Sequence, residues 1–191
     1  MRRWGRYKFF LVAGLLIAAV LITWLVTKNN NSQVPSDYYS VNDTTNGLSF
    51  NMSRRFLPIA RADLPQLYSY GYQAEGDKYA NCYISQSKLK KGQRPSPAQA
   101  VKGLLNEIKK VHPDAKLNNQ TAASNPVVFG NSTGVLLDLN FKELKKTFRR
   151  VEILAVGKTS QVIAYCESLA RDNTEYYDDF TIFFSSLKLN S

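Results

Sequence analysis

Residues 9–27, FFLVAGLLIAAVLITWLVT, are 19 consecutive positions without a charge or a proline. At about 1.5 Å per residue, a helix of that length spans roughly 28 Å, close to the hydrocarbon thickness of a bilayer. Arg2, Arg3, Arg6 and Lys8 precede the run, and only Lys28 follows it directly. The positive-inside bias therefore puts residues 1–8 in the cytoplasm as a short tail and the long C-terminal part outside the plasma membrane. Trp4, Tyr7 and Trp24 stand where interfacial rings belong. The run ends in Thr-Trp-Leu-Val-Thr-Lys, which lacks the small residues of a cleavage site, so it reads as an uncleaved anchor.

The anchor changes how the charge is read. The whole chain has 25 Lys+Arg against 15 Asp+Glu, a net charge of +10. Arg2, Arg3, Arg6, Lys8 and Lys28 account for five of those positive charges and no acidic residue lies among residues 1–28, so the remainder carries only +5. A pI near 9.6 is thus half topology signal, and an external domain seldom meets nucleic acid. Nucleic acid is not an expected partner. The bilayer, a protein partner in the envelope, and an anionic lipid or wall polymer fit the arrangement better.

Residues 28–37 are polar and aperiodic with one proline, a tether, and residues 38–191 make one external domain. Tyr38–Val41 and Leu48–Met52 flank an Asn46-Gly47 turn signal and predict a hairpin. Residues 56–73 hold two prolines and no clean period, which predicts a loop with a helical turn near residues 64–70. Residues 79–85 alternate as a strand. Ser96 and Pro97 open a helix to about Val111, with Val101, Leu104, Leu105, Ile108 and Val111 as its apolar stripe. After a short strand near residues 116–121, three consecutive strands at 134–142, 147–156 and 161–167 read as a meander. A closing helix over residues 172–187 has Tyr177, Phe180, Phe184 and Leu187 as its stripe. Hairpin turns imply an antiparallel sheet, and both amphipathic helices must pack on it, an α+β sandwich.

This order resembles the PsbP/Mog1-like domain. The residues that carry the likeness are Leu48-Ser-Phe-Asn-Met with Phe56-Leu57-Pro58, the helix at 97–111, the meander at 134–167, and Tyr177…Phe180…Phe184-x-x-Leu187. The resemblance implies a non-catalytic binding or assembly module, with no site residue to carry over. A VirB8-like component of a secretion or conjugation complex is the alternative. Such proteins share the tail, the span and an external α+β domain, but their domains open with helices.

Little in the chain points to catalysis. The single histidine, His112, ends a helix before Pro113, where it would meet the helix dipole. A nucleophile needs a base beside it, and a metal site needs converging ligands. No cofactor is expected. The adjacent Asp178 and Asp179 read as a solvated helix face.

Three groups remain as candidate sites. Cys82 and Cys166 each lie on the small apolar face of a strand, and a bridge or two buried thiols are both open. Tyr68, Tyr70 and Tyr72 form a candidate protein contact if the loop presents them, or a covering of the core if it does not. Lys142, Lys145, Lys146, Arg149 and Arg150 form a candidate anion contact at a hairpin tip, or a solvated turn.

Overall fold

The computed structural model describes residues 36–89, 95–118, 127–129, 132–157 and 159–189. The expected tail and span, and the tether as far as residue 35, lie outside the described residues. No helix among the described residues is long and apolar enough to cross a membrane.

Two antiparallel sheets share one core. The first is small: β1 (Tyr38–Asp43) pairs β2 (Leu48–Ser53), which pairs β11 (Lys188–Leu189). The turn between β1 and β2 is the expected one. Gly47 takes φ 63°, and the Asp43 carboxylate accepts the backbone N–H and side-chain amide of Asn46 at 3.0 and 2.6 Å.

The large sheet has eight strands: β3 (Phe56–Pro58), β4 (Tyr70–Ala74), β5 (Asp77–Lys88), β6 (Lys116–Leu117), β7 (Val127–Phe129), β8 (Ser132–Glu143), β9 (Lys146–Val156) and β10 (Ser160–Leu169). They run in the spatial order β3-β4-β5-β10-β9-β8-β6, with β7 also paired to β8. The meander β8-β9-β10 is therefore the centre of the sheet, as its patterning predicts. Residues 56–73 differ in part from expectation: β3 and β4 take the two ends of the stretch, at 56–58 and 70–73, and 59–69 remain a loop. Gly71, which reads as loop punctuation, is a packing glycine on β4: a Cβ there would sit 2.5 Å from Leu64 Cδ1.

The helices cover opposite faces of this sheet. Helix α1 (Pro97–Val111) starts at Ser96, whose hydroxyl accepts from Gln99 N while Gln99 Oε1 accepts from Ser96 N, a reciprocal capping box. Ala100, Leu104 and Ile108 bury against Val135, Leu137, Leu139 and Phe141 of β8 and Phe148 and Leu154 of β9. Val111, expected in the stripe, is exposed.

Helix α2 (Asn173–Ser186) packs with the small sheet on the other face, around Phe50, Ile84, Ile153 and Val162. Its buried ridge is Tyr176, Phe180, Phe183, Phe184 and then Leu187, rotated from the predicted one, and Tyr177 is exposed. The rotation also buries Asp179, so the aspartate pair is not a solvated face. Asp179 accepts from the Tyr38 hydroxyl at 2.8 Å and pairs with Arg55 at 3.5 Å.

Candidate functional site

The hairpin joining β8 to β9 closes at Glu143↔Lys146, leaving Leu144 and Lys145 as the two turn residues. Both lie in left-handed backbone, at φ 48° and 64°. A two-residue turn with positive φ at both positions matches the twist of its strands, and for that reason favours Asn-Gly. This chain puts a leucine and a lysine there instead, and Leu144 is 84% exposed.

The five basic residues expected at this tip divide. Lys142 and Lys145 are exposed, and no ion pair among the described residues involves them. Lys146 turns back, its ammonium 3.7 Å from the centre of the Tyr79 ring. Arg149 makes a two-point bond to Asp138 on the neighbouring strand, at 2.9 and 2.6 Å. Arg150 is buried: it donates to Glu167 Oε2 at 2.8 and 2.6 Å and lies over the Tyr165 ring at 4.1 Å. Only the lysines remain for a visiting anion, because the arginines already hold carboxylates.

The end of α1 lies beside this tip. His112 stacks on Phe141 with ring centres 3.9 Å apart, and the Asp114 carboxylate accepts Lys142 N at 2.9 Å. Burial and the nearby Arg150 push the His112 imidazole below its usual pKa, which favours a neutral ring over the cation a helix dipole would prefer. Val111, Lys109 and Lys110 thus border the same corner as Leu144.

The chain also enters the domain at this end. Arg54 N and Nε donate to the carbonyls of Asp37 and Ser36 at 2.8 and 3.0 Å. Glu75, in the turn after β4, donates its N–H to Arg55 O at 2.8 Å. That turn leads into β5 and Tyr79, on which Lys146 rests, and Ala170 N donates to Thr147 O beside the tip. The β4–β5 turn and the β8–β9 tip are three strand spacings apart in the strand order, roughly 15 Å. On the α2 side, a shallow groove of about 480 Å³ is lined by Asp37, Glu75, Glu175, Asp178 and Asp179 with Arg54 and Arg55.

The three tyrosines are not brought together on a surface. Tyr72 is 5% exposed and meets Phe50 edge to face at 5.9 Å. Tyr70 also packs on Phe50, and its hydroxyl bonds Asp43, whose carboxyl is held down to about 2 by that bond and by Asn46. Tyr68 is on the other face of the sheet, 4.9 Å from the Tyr83 ring and 5.7 Å from Tyr165. Alternation along β4 points Tyr70 and Tyr72 into the shared core, the covering role that the sequence left open beside a protein contact.

Cys82 and Cys166 do meet. They are direct cross-strand partners on β5 and β10, with Cα atoms 4.1 Å apart, and are joined as a disulfide. So short a separation is that of a non-hydrogen-bonded antiparallel pair.

Sequence reasoning missed one cluster. Arg150, Glu152, Glu167 and Tyr165 lie on the sheet face that α1 shares, in register across β9 and β10. Glu152 is 5% exposed, and its Oε2 has no hydrogen-bond partner. Burial raises its carboxyl to about 7, despite Arg150 at 3.8 Å. Alternation along residues 147–156 presents Val151, Ile153 and Ala155 on one face. Phe148 and Leu154, on the parity of Arg150 and Glu152, were the signal that the other face is covered as well.

No family model matches the chain, and no curated protein matches it. Solved structures do. Cyanobacterial PsbP (CyanoP) from Synechocystis superposes with a TM-score of 0.65 at 8% identity, over 83% of this chain and 98% of its own. The Ran-binding protein Mog1p of Saccharomyces cerevisiae gives 0.54 at 10% identity, over 81% and 96%. LpqN of Mycobacterium tuberculosis, involved in cell envelope biogenesis, gives 0.51 at 12%, over 83% and 82%. The domain has the PsbP/Mog1-like fold. At these identities the likeness concerns the fold alone.

Proposed function

We propose that this chain is a single-pass, membrane-tethered binding or assembly module, without catalysis of its own, whose α+β domain works outside the plasma membrane on an envelope protein partner. The observation that carries it is the shared end of the domain. Ser36, where the tether from the apolar run joins the fold, lies on the same edge as the lysine-bearing β8–β9 tip. Exposed lysines at the end where the chain enters the domain suit a domain tethered at a charged surface. The fold adds support: Mog1p carries the same architecture and binds Ran, and LpqN carries it in envelope biogenesis. Nothing described favours the VirB8-like alternative, since the domain opens with the β1–β2 hairpin rather than with helices.

Two measurements test this. A reporter active only outside the cytoplasm, fused after Ser191, should be active, and activity confined to a cytoplasmic reporter would overturn the topology. Purification of the cross-linked full chain in mild detergent should bring a defined stoichiometric partner. Recovery of the chain alone would overturn the module reading.

A further inference from the structure

We propose that the corner formed by the β8–β9 tip and the C-terminal end of α1 docks on an anionic phospholipid leaflet. This deepens the tethered-module reading and rests on its anchor. Leu144 is the first observation. It is 84% exposed in left-handed backbone that disfavours leucine, so neither burial in the fold nor turn preference accounts for it. Val111, 73% exposed, is a second uncovered apolar side chain, on the end of α1 that His112 and Asp114 hold against the hairpin.

The second observation is the set of ammonium groups at this end of the domain. Lys109 and Lys110 occupy the last turn of α1, and Lys142 and Lys145 flank Leu144. Lys110 shares Glu107 at 2.6 Å, while no ion pair among the described residues engages the other three. Glu107, Asp114 and Glu143 are the acidic neighbours, and four lysines against three carboxylates leave the corner with a net charge of +1. The acidic groove lies on the α2 side of the sheet. Its lining residue Glu75, on the β4–β5 turn, is roughly 15 Å from the tip, about twice the Debye length of about 8 Å at physiological salt, so the groove opposes the corner only weakly.

Exposed apolar residues accompanied by lysines match the boundary between headgroups and acyl chains. A soluble polyanion would use the lysines and leave Leu144 and Val111 in water.

The test uses the full chain in nanodiscs of phosphatidylcholine alone or mixed with phosphatidylglycerol, followed by hydrogen exchange of amides 109–112, 114 and 142–147. The anionic discs should slow exchange there on the order of tenfold. Lys142→Glu with Lys145→Glu should abolish that difference, and so should Leu144→Asn with Lys145→Gly, which suits the turn and keeps the fold. Equal exchange in both discs overturns the docking and leaves the tether standing. A chain that is not retained in either disc overturns the anchor, and the docking with it. Protection on adding soluble poly(glycerol phosphate) to neutral discs, without protection in anionic discs, overturns the lipid assignment in favour of a wall polymer.

Discussion

Arg150 stands between Glu167 and Glu152 and bonds only the first, donating twice to Glu167 and leaving Glu152 at 3.8 Å with one oxygen unpartnered. One cation faces a buried carboxylate, Glu152, and a partly buried one, Glu167, on the same sheet face. The second charge is uncompensated, so burial raises Glu152 to about 7.

The sign of the consequence follows. The folded-state pKa of Glu152 lies above its unfolded value, so the folded state binds more protons between about 4.5 and 7. Stability from this group is complete below about 4.5 and is lost as pH rises through about 7, reaching roughly 3 kcal/mol by pH 8. His112, with its pKa lowered, acts oppositely and loses stability on the acid side. Comparison with Glu152→Gln isolates the glutamate. The variant should match the parent near pH 5 and melt higher by several degrees at pH 8. Parallel Tm-against-pH curves would remove the buried charge from the account.

The Cys82–Cys166 bridge spans 84 residues of sequence. In the chain-entropy treatment, closing a loop of that length stabilises by about 4–5 kcal/mol. Cys82→Ala with Cys166→Ala should lower stability by that order in denaturant titration. Alkylation of the unreduced, denatured parent should label no thiol. Two labelled thiols would refute the pairing.

Tyr72 should behave as core. Tyr72→Ala removes a ring packed on Phe50 and should cost about 3–5 kcal/mol, with a marked fall in Tm. Tyr68→Ala, at a half-buried ring in a connecting segment, should cost less than about 2 kcal/mol. Equal small effects at both sites would restore the exposed-contact reading of these tyrosines.

The β8–β9 turn makes an inverse prediction. Replacing Leu144-Lys145 by Asn-Gly relieves two left-handed residues at about 1 kcal/mol each. Thermal unfolding should therefore shift upward by about 4–8 °C. An unchanged or lower Tm would mean that Leu144 is held by packing within the domain.

What the sequence made legible follows the strength of its local signals. Ser96-Pro97 and the 3.6-residue spacing define α1 without tertiary help, and strict alternation defines β8 to β10. The closing helix was ambiguous in phase. Adjacent Tyr176 and Tyr177 can each start a stripe through Phe180, and the choice falls to long-range partners: Tyr176 donates to Asp77 at 3.0 Å. Strands β3 and β4 were hidden because Pro58, Pro65 and Gly71 read as breakers, whereas Gly71 answers to Leu64 from outside its own strand. The same limit applies at the site. A lysine-rich hairpin tip is a local pattern, but the neutralisation of Arg149 by Asp138 and of Arg150 by Glu167 depends on register, which no single segment contains.

The strand order also sets a timetable for synthesis. Strand β5 is twelve residues long and lies between β4 and β10. Its second neighbour is made only after all of α1, β8 and β9. Until residues 160–169 arrive, one edge of β5 carries unpaired backbone groups and an alternating apolar row, the kind of surface that recruits stray strands. A nascent chain stalled before Cys166 would be neither bridged nor fully paired, so the hazard in making this protein is greatest late in its production.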